Sequence, residues 1–197
     1  MPEKGIIFVV SGPSGVGKGT TLKVLIDHNP NIKFSISATS REPRKGEIDG
    51  QQYFFVSEEK FQQMIKKEEF IEWVKYCGHY YGTPKGYVEE MLNNSFDVVF
   101  EIEVEGALNV KKAYPDSVII FMLPPTFEEL KNRLQKRGSE GEEDVQKRLE
   151  RAKFELSFAN RFDYAIINSY VEDSANKLES ILIAEKLSVK RKEPRIP

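Results

Sequence analysis

The chain has 197 residues and a mass of 22.7 kDa, which fits one domain, or one domain carrying inserted sub-regions, large enough to bury a core without disulfide or metal. Hydrophobic residues make up 40% and charged residues 30%, and 29 Lys plus Arg against 31 Asp plus Glu leave a net charge of −2 and a pI near 5.9, which excludes a non-specific nucleic-acid binder while leaving room for a local basic site. One cysteine, Cys77, and two histidines, His28 and His79, exclude an internal disulfide and a Cys- or His-rich metal site, and Cys77 and His79 are expected to be structural.

In chain order, Ile6–Val10 predicts a first buried strand. It is too short for a secretory h-region, and the later run Val118–Leu123 is far below the roughly 20 residues of a bilayer span. A cytoplasmic protein with no membrane contact is expected. Thr20–His28 predicts a helix with Leu22, Leu25 and Ile26 on one face, stopped before Asn29-Pro30. Phe34–Ser37 predicts a short strand. Residues 52–82 read as a small inserted lobe. Its strands are Tyr53–Val56 and Phe70–Val74, separated by a helix from about Glu58 to Lys67, with a third short strand at Tyr80–Gly82.

Val98–Ile102, Val118–Leu123 and Tyr164–Ile167 complete the strands. Their apolar runs are continuous rather than alternating, which suits strands covered on both faces. After Pro124-Pro125, Thr126 and Glu129 have capping-box spacing, Leu130 and Leu134 point inward, and Gly138 fits the helix stop. Val145, Leu149, Ala152 and Leu156 keep helical spacing within 142–160, and Leu178, Ile181 and Leu182 mark a final helix. Alternating strands and helices predict an α/β fold with a largely parallel sheet. The charged, Pro-interrupted tail after Ser188 is expected to fray.

Gly12-Pro13-Ser14-Gly15-Val16-Gly17-Lys18 fits the phosphate-loop pattern G-x-x-x-x-G-K. The letters alone are a weak signal. Their place, after the first strand and opening the first helix, is what the mechanism requires. Glycines let the backbone wrap an anion with its N–H groups turned inward, and the helix N-terminus adds partial positive charge. Lys18 then reaches the β- and γ-phosphates. The pattern asks for Ser or Thr after the lysine, and Gly19 stands there, followed by Thr20. Either Thr20 supplies the hydroxyl to Mg²⁺, or Mg²⁺ is held mostly through water.

The loop implies a nucleoside triphosphate but not what receives the phosphate. Thr39-Ser40-Arg41-Glu42-Pro43-Arg44 places two arginines after a short strand, and Arg forks bind phosphate oxygens. Phe70-Ile71-Glu72-Trp73, Tyr81-Gly82-Thr83, and Arg133-Leu134 through Arg137-Gly138 with Lys147-Arg148-Leu149 follow. Taken with the phosphate loop, these ordered markers resemble the guanylate kinases, from about Gly5 to Lys186.

The resemblance implies a P-loop nucleoside-kinase fold. A parallel five-stranded core sheet would be flanked by helices (about 1–36, 84–125 and 161–187), with an inserted mixed β/α GMP-binding lobe (about 37–83) and a helical lid (about 126–160); the frayed basic tail (188–197), read from its composition, lies beyond the resemblance. It implies transfer of the ATP γ-phosphoryl group to GMP, and to dGMP, with Mg²⁺, giving ADP and GDP. Ser14, Gly15, Val16, Gly17, Lys18, Gly19, Thr20, Arg133 and Asn168 fall at ATP positions. Arg41, Arg44, Tyr53 and Tyr81 fall at the GMP phosphate, and Ser37, Glu72 and Thr83 at guanine. Lys18, Arg44, Arg137 and Arg148 fall at catalytic positions. The residues agree chemically. Guanine offers N1–H and a 2-amine, which a Glu72 carboxylate can accept together, and adenine would leave it unpaired, a discrimination on the order of 10⁴-fold.

One segment departs from the family. Its Asp-x-Asp-x-Gln-Gly reads Glu101-Ile102-Glu103-Val104-Glu105-Gly106 here, so charge is kept while reach grows by one methylene. Glu101 and Glu103 can contact guanine or a Mg²⁺-bound water. Two rivals remain: a kinase for another nucleoside monophosphate, suggested by Gly17-Lys18-Gly19-Thr20, and a non-catalytic guanylate-kinase-like interaction domain. Monomer and homodimer both stay open.

Overall fold

The structure is a computed structural model, and it describes residues 4–44, 46–76, 78–136 and 142–191. Arg137, Gly138, Cys77 and the end of the tail from position 192 lie outside the described residues. The elements run β1 (Ile7–Ser11), α1 (Lys18–His28), β2 (Ile32–Phe34), β3 (Ala38–Thr39), β4 (Phe54–Phe55), α2 (Glu58–Lys66), β5 (Phe70–Tyr76), β6 (His79–Pro84) and α3 (Lys85–Asn93). Then come β7 (Asp97–Glu101), α4 (Val104–Ala113), β8 (Val118–Leu123), α5 (Phe127–Lys136), α6 (Glu142–Leu156), a 3-10 turn (Ala159–Arg161), β9 (Tyr164–Ile167) and α7 (Val171–Leu187). A five-stranded parallel sheet has the order β2-β7-β1-β8-β9, and a four-stranded mixed sheet the order β4-β3-β6-β5. No described helix is long and apolar enough to cross a membrane.

By packing, the chain divides within β1 into two units, one running to Val9 and over Asn31–Ser117, the other over Val10–Pro30 and from Val118 on. In the first unit, β2 pairs parallel with β7 in the register Ile32 to Asp97 and Phe34 to Val99. Val98, Val99 and Phe100 are buried, as the continuous apolar run requires. Val88 and Leu92 of α3 and Val104, Ala107 and Val110 of α4 are buried too. The Asp97 carboxylate accepts the Ile6 N–H at 3.0 Å. The mixed sheet is anchored by Phe61 of α2, fully buried, stacked on Phe70 at 4.4 Å and Tyr80 at 5.3 Å. A phenylalanine buried this way contributes roughly 2–3 kcal/mol of transfer free energy. The Ser57 hydroxyl caps α2 by accepting the Lys60 N–H, and Glu58 and Glu59 in the first turn suit the helix dipole.

In the second unit, β8 and β9 pair parallel from Ile120–Tyr164 to Leu123–Ile167. Leu22 and Leu25 of α1 and Leu178 and Leu182 of α7 are buried. Leu130, Leu134, Val145, Leu149 and Ala152 form a separate cluster joining α5 to α6. The Thr126 hydroxyl accepts the Glu129 N–H at 3.0 Å, as the capping spacing predicts. The Glu129 carboxylate does not close the box: it accepts from Arg133 Nε at 2.9 Å.

Two expectations change. The short strand placed at Phe34–Ser37 is two strands, Ile32–Phe34 and Ala38–Thr39, which lie in different sheets. The helix expected over 142–160 ends at Leu156, and a 3-10 turn follows.

Candidate functional site

The first unit gathers the expected acceptor residues around the loop after β3. Thr39, fully buried, donates its hydroxyl to the Tyr80 carbonyl at 2.9 Å and accepts the Arg41 N–H at 3.1 Å, which fixes where Arg41 leaves the sheet. The Arg41 guanidinium lies 5.6 Å from the Tyr53 ring centre and 5.7 Å from that of Phe55. Tyr53 and Tyr81 meet edge to face at 5.9 Å. Burial pulls the Arg41 pKa down, but the Glu47 carboxylate and the Tyr81 phenol outweigh it and raise the pKa. Burial pushes the Tyr53 phenol up, with the Tyr81 phenol and the Glu101 charge acting the same way against Arg41. Arg41, Tyr53, Tyr81 and Glu101 therefore form one electrostatic neighbourhood. Arg44 is exposed, and its charge acts on Glu47.

Glu72 stands on β5 and is 7% exposed. The buried Thr83 hydroxyl, brought opposite by the antiparallel β5–β6 pairing, donates to its Oε1 at 2.8 Å. Burial holds the Glu72 carboxyl above its ordinary pKa, while the Thr83 hydroxyl and backbone N–H pull it down. Gly106 in α4 faces the other oxygen: a Cβ there would lie 3.2 Å from Oε2. Ser37 is half-buried, and its carbonyl accepts the Phe54 N–H at 2.9 Å. Glu101 ends β7 and is exposed; Glu103 holds the N-cap position of α4 without a side-chain cap bond. A cavity of about 430 Å³ lined by Glu68, Phe70, Ile71, Glu72, Trp73, Lys85 and Asn109 touches this group only through Glu72.

The second unit carries the phosphate loop. Gly12, Gly15 and Gly17 have φ of 144°, 85° and 99°, which side chains rarely adopt. A Cβ on Gly12 would meet the Met122 carbonyl oxygen at 2.3 Å, and one on Gly17 the Asn168 Nδ2 at 2.6 Å. Gly17 is the N-cap of α1, whose first turn holds no acidic residue to oppose an anion. Lys18 Nζ donates to the Gly12 and Pro13 carbonyls at 2.7 and 3.3 Å, so the ammonium lies across its own loop.

The Val16 carbonyl accepts from Arg133 Nη1 at 3.1 Å and from Asn168 Nδ2 at 2.8 Å. Arg133 Nη2 also donates to the Asn168 carbonyl at 3.3 Å. Asn168 is 3% exposed, and its Oδ1 is buried without a hydrogen-bond partner. Arg148 Nη2 donates to the Ser14 hydroxyl at 3.1 Å. Gly19 and Thr20 are exposed on the first turn of α1, whereas the buried Thr21 hydroxyl donates to the Gly17 carbonyl at 3.1 Å. Arg137 lies outside the described residues. Among the described residues, no three His, Cys, Asp or Glu side chains gather to hold a metal.

Sequence reasoning missed Glu47, whose carboxylate touches Arg41 and Arg44. The available signal was an acid three residues beyond the second of two arginines spaced by three.

A sequence model of the family described as guanylate kinase matches residues 4–185. The chain is 50% identical to a guanylate kinase of Caldanaerobacter subterraneus subsp. tengcongensis over 96% of this chain and 92% of that protein. It is 48% identical to a guanylate kinase of Desulfitobacterium hafniense over 95% and 94%. The crystal structure of guanylate kinase from Anaplasma phagocytophilum superposes with a TM-score of 0.79 at 33% identity, covering 96% of this chain and 90% of that one.

Proposed function

The chain belongs to the guanylate kinase family, and from that premise we propose how its residues divide the ATP-dependent phosphorylation of GMP. The reaction is ATP + GMP ⇌ ADP + GDP. Neither rival, another nucleoside monophosphate kinase or a non-catalytic interaction domain, finds support among the relatives.

The loop from Ser14 to Gly19 holds the ATP phosphates through its backbone N–H groups, with Lys18 turning from its own carbonyls to the phosphate oxygens. Arg133 and Asn168 act on the loop as well as at the nucleotide. Their shared hold on the Val16 carbonyl keeps the wrapped backbone in place before ATP arrives. Arg148, already at Ser14, and Arg137 neutralise charge on the transferring group. Transfer needs the donor and acceptor phosphates in line and water excluded, which assigns the lid role to α5 and α6.

The acceptor side is supported most by one observation: a buried glutamate held by a buried threonine in the same unit as an arginine framed by aromatic rings. Glu72 accepts guanine N1–H and the 2-amine. Thr83 orients it, which leaves the contact to guanine O6 to Ser37. Arg41, Arg44, Tyr53 and Tyr81 hold the GMP phosphate, and Glu101 and Glu103 approach the base or a metal-bound water. Nothing in this set requires a ribose 2′-hydroxyl, so dGMP is also a substrate. The division that goes with this reading is a GMP lobe over about 37–83, a lid over about 126–160 and a core made of the rest.

Mg²⁺ is a hard cation that takes oxygen ligands and keeps several waters. The exposed Thr20 hydroxyl on the first turn of α1 fits a water-mediated or single direct contact, the remaining oxygens coming from ATP. When bound, Mg²⁺ supplies charge neutralisation on the phosphates. The enzyme works in the cytoplasm, where its two dissolved substrates meet.

The test is ADP release from Mg·ATP with GMP, AMP, CMP or UMP as acceptor. Release is expected with GMP alone, lost in Lys18→Ala without loss of fold, and with weakened base discrimination in Glu72→Gln. Near-normal turnover in Lys18→Ala, or full discrimination in Glu72→Gln, would overturn these assignments.

A further inference from the structure

Glu47 has no part in the division of labour above, yet its carboxylate sits on the residues assigned to the acceptor's phosphate. Both of its oxygens accept from Arg41 Nη2, at 2.9 and 3.0 Å, and Oε2 also takes the Arg44 backbone N–H at 2.6 Å. The two side chains are only 12% and 19% exposed. The Glu47 N–H returns to the Arg44 carbonyl at 3.0 Å, and this turn brings the carboxylate back onto the arginines. The Arg44 N–H and the Arg41 guanidinium hold Glu47 below the usual carboxylate range, so it is the charged form that they bind. To a guanidinium and an amide N–H, a carboxylate offers what a phosphate offers, anionic oxygens at hydrogen-bond distance.

We propose that Glu47 is an internal surrogate for the phosphate of GMP: it occupies Arg41 Nη2 and the Arg44 N–H while the Glu42 carbonyl takes Arg41 Nη1, keeps Arg41 and Arg44 in a receptive position, and is displaced when GMP takes the same donors. The proposal rests on the reading that Arg41 and Arg44 hold that phosphate. The backbone next to Glu47 is not packed against other parts of the chain: a Cβ on Gly46 would meet nothing within 4 Å. A phosphate of nearly two negative charges outcompetes a carboxylate of one. Because only the fraction of enzyme with the fork open can bind, the apparent affinity for GMP is reduced by that fraction.

Two variants separate occupancy from charge. Glu47→Gln keeps the shape and removes the charge, whereas Glu47→Asp keeps the charge and shortens the reach. Steady-state kinetics in GMP and in ATP are measured for both, with calorimetric binding of GMP and of guanosine, which lacks the phosphate. Both variants are expected to lower KM and Kd for GMP by about 3- to 10-fold, the scale of a partly exposed ion pair. kcat, KM for ATP and the affinity for guanosine are expected to stay within about 2-fold. A GMP KM that is unchanged or raised in Glu47→Gln overturns the proposal. So does a fall in Glu47→Gln that is absent from Glu47→Asp, since charge at a distance would then suffice, and so does guanosine affinity moving in step with GMP. Arg41→Ala separates the two readings. If it leaves KM for GMP unchanged, the assignment of Arg41 itself fails; if it raises KM while the Glu47 variants do nothing, only the surrogate fails.

Discussion

Glu72 sits where its own charge is costly. Burial raises its pKa above the ordinary 4.5, and Thr83 offsets this only in part. A carboxyl with a raised folded pKa favours the folded state below the unfolded value, and this contribution is lost as pH rises through the folded value. Glu72→Gln, which cannot ionise and still accepts from Thr83, therefore loses this pH dependence. In chemical denaturation between pH 4 and 8 the variant should gain on the parent as pH rises. A variant that falls further behind as pH rises would contradict the burial argument. Glycine positions make a second contrast. Gly12 and Gly46 both have left-handed φ, 144° and 90°, but a Cβ on Gly12 would strike the Met122 carbonyl at 2.3 Å while one on Gly46 meets nothing within 4 Å. Gly46→Ala should cost only the backbone strain, about 1 kcal/mol. Gly12→Ala should cost several times more, because main chain must move. Thermal unfolding of the two variants is the measure, and equal losses would mean that φ alone decides.

Among the elements, α5 joins its own stability to the site. Thr126 caps its N-terminus, while Glu129 gives its carboxylate to Arg133, whose guanidinium reaches the Val16 and Asn168 carbonyls. Thr126→Ala should cost about 1 kcal/mol in denaturant unfolding. Thr126→Ser should restore most of it, since the hydroxyl is what caps; a Ser variant as weak as the Ala variant would place the loss in the missing methyl group. The cap was legible from Thr126 and Glu129, but the second half of the box was not, because Arg133 one turn later competes for the same carboxylate. Helices α3 and α4 were not singled out in the sequence. Each buries only a few apolar side chains, Val88 and Leu92 in one and Val104, Ala107 and Val110 in the other, so the periodic signal is thin. Strands β7, β8 and β9 were legible to within a residue, because runs such as Val118–Leu123 have no polar face to hide.

For the molecule as a whole, continuous apolar runs called for a parallel sheet, but their order, β2-β7-β1-β8-β9, is a matter of which strands pair and is not written in any one run. The same divide holds for chemistry. The sequence alone determined the phosphate loop, because a glycine-rich turn between a strand and a helix is specified within Gly12–Lys18. It determined the family, because ordered markers span nearly the whole chain. Only the tertiary structure decided what holds these parts. Asn168 and Arg133 reach the Val16 carbonyl from 152 and 117 residues away, Thr83 orients Glu72 across two strands, and Glu47 turns back onto Arg41. The reason is physical. A turn or a buried run is fixed by the torsions and side chains of neighbouring residues, whereas a hydrogen bond to a distant carbonyl depends on where two backbones come to rest.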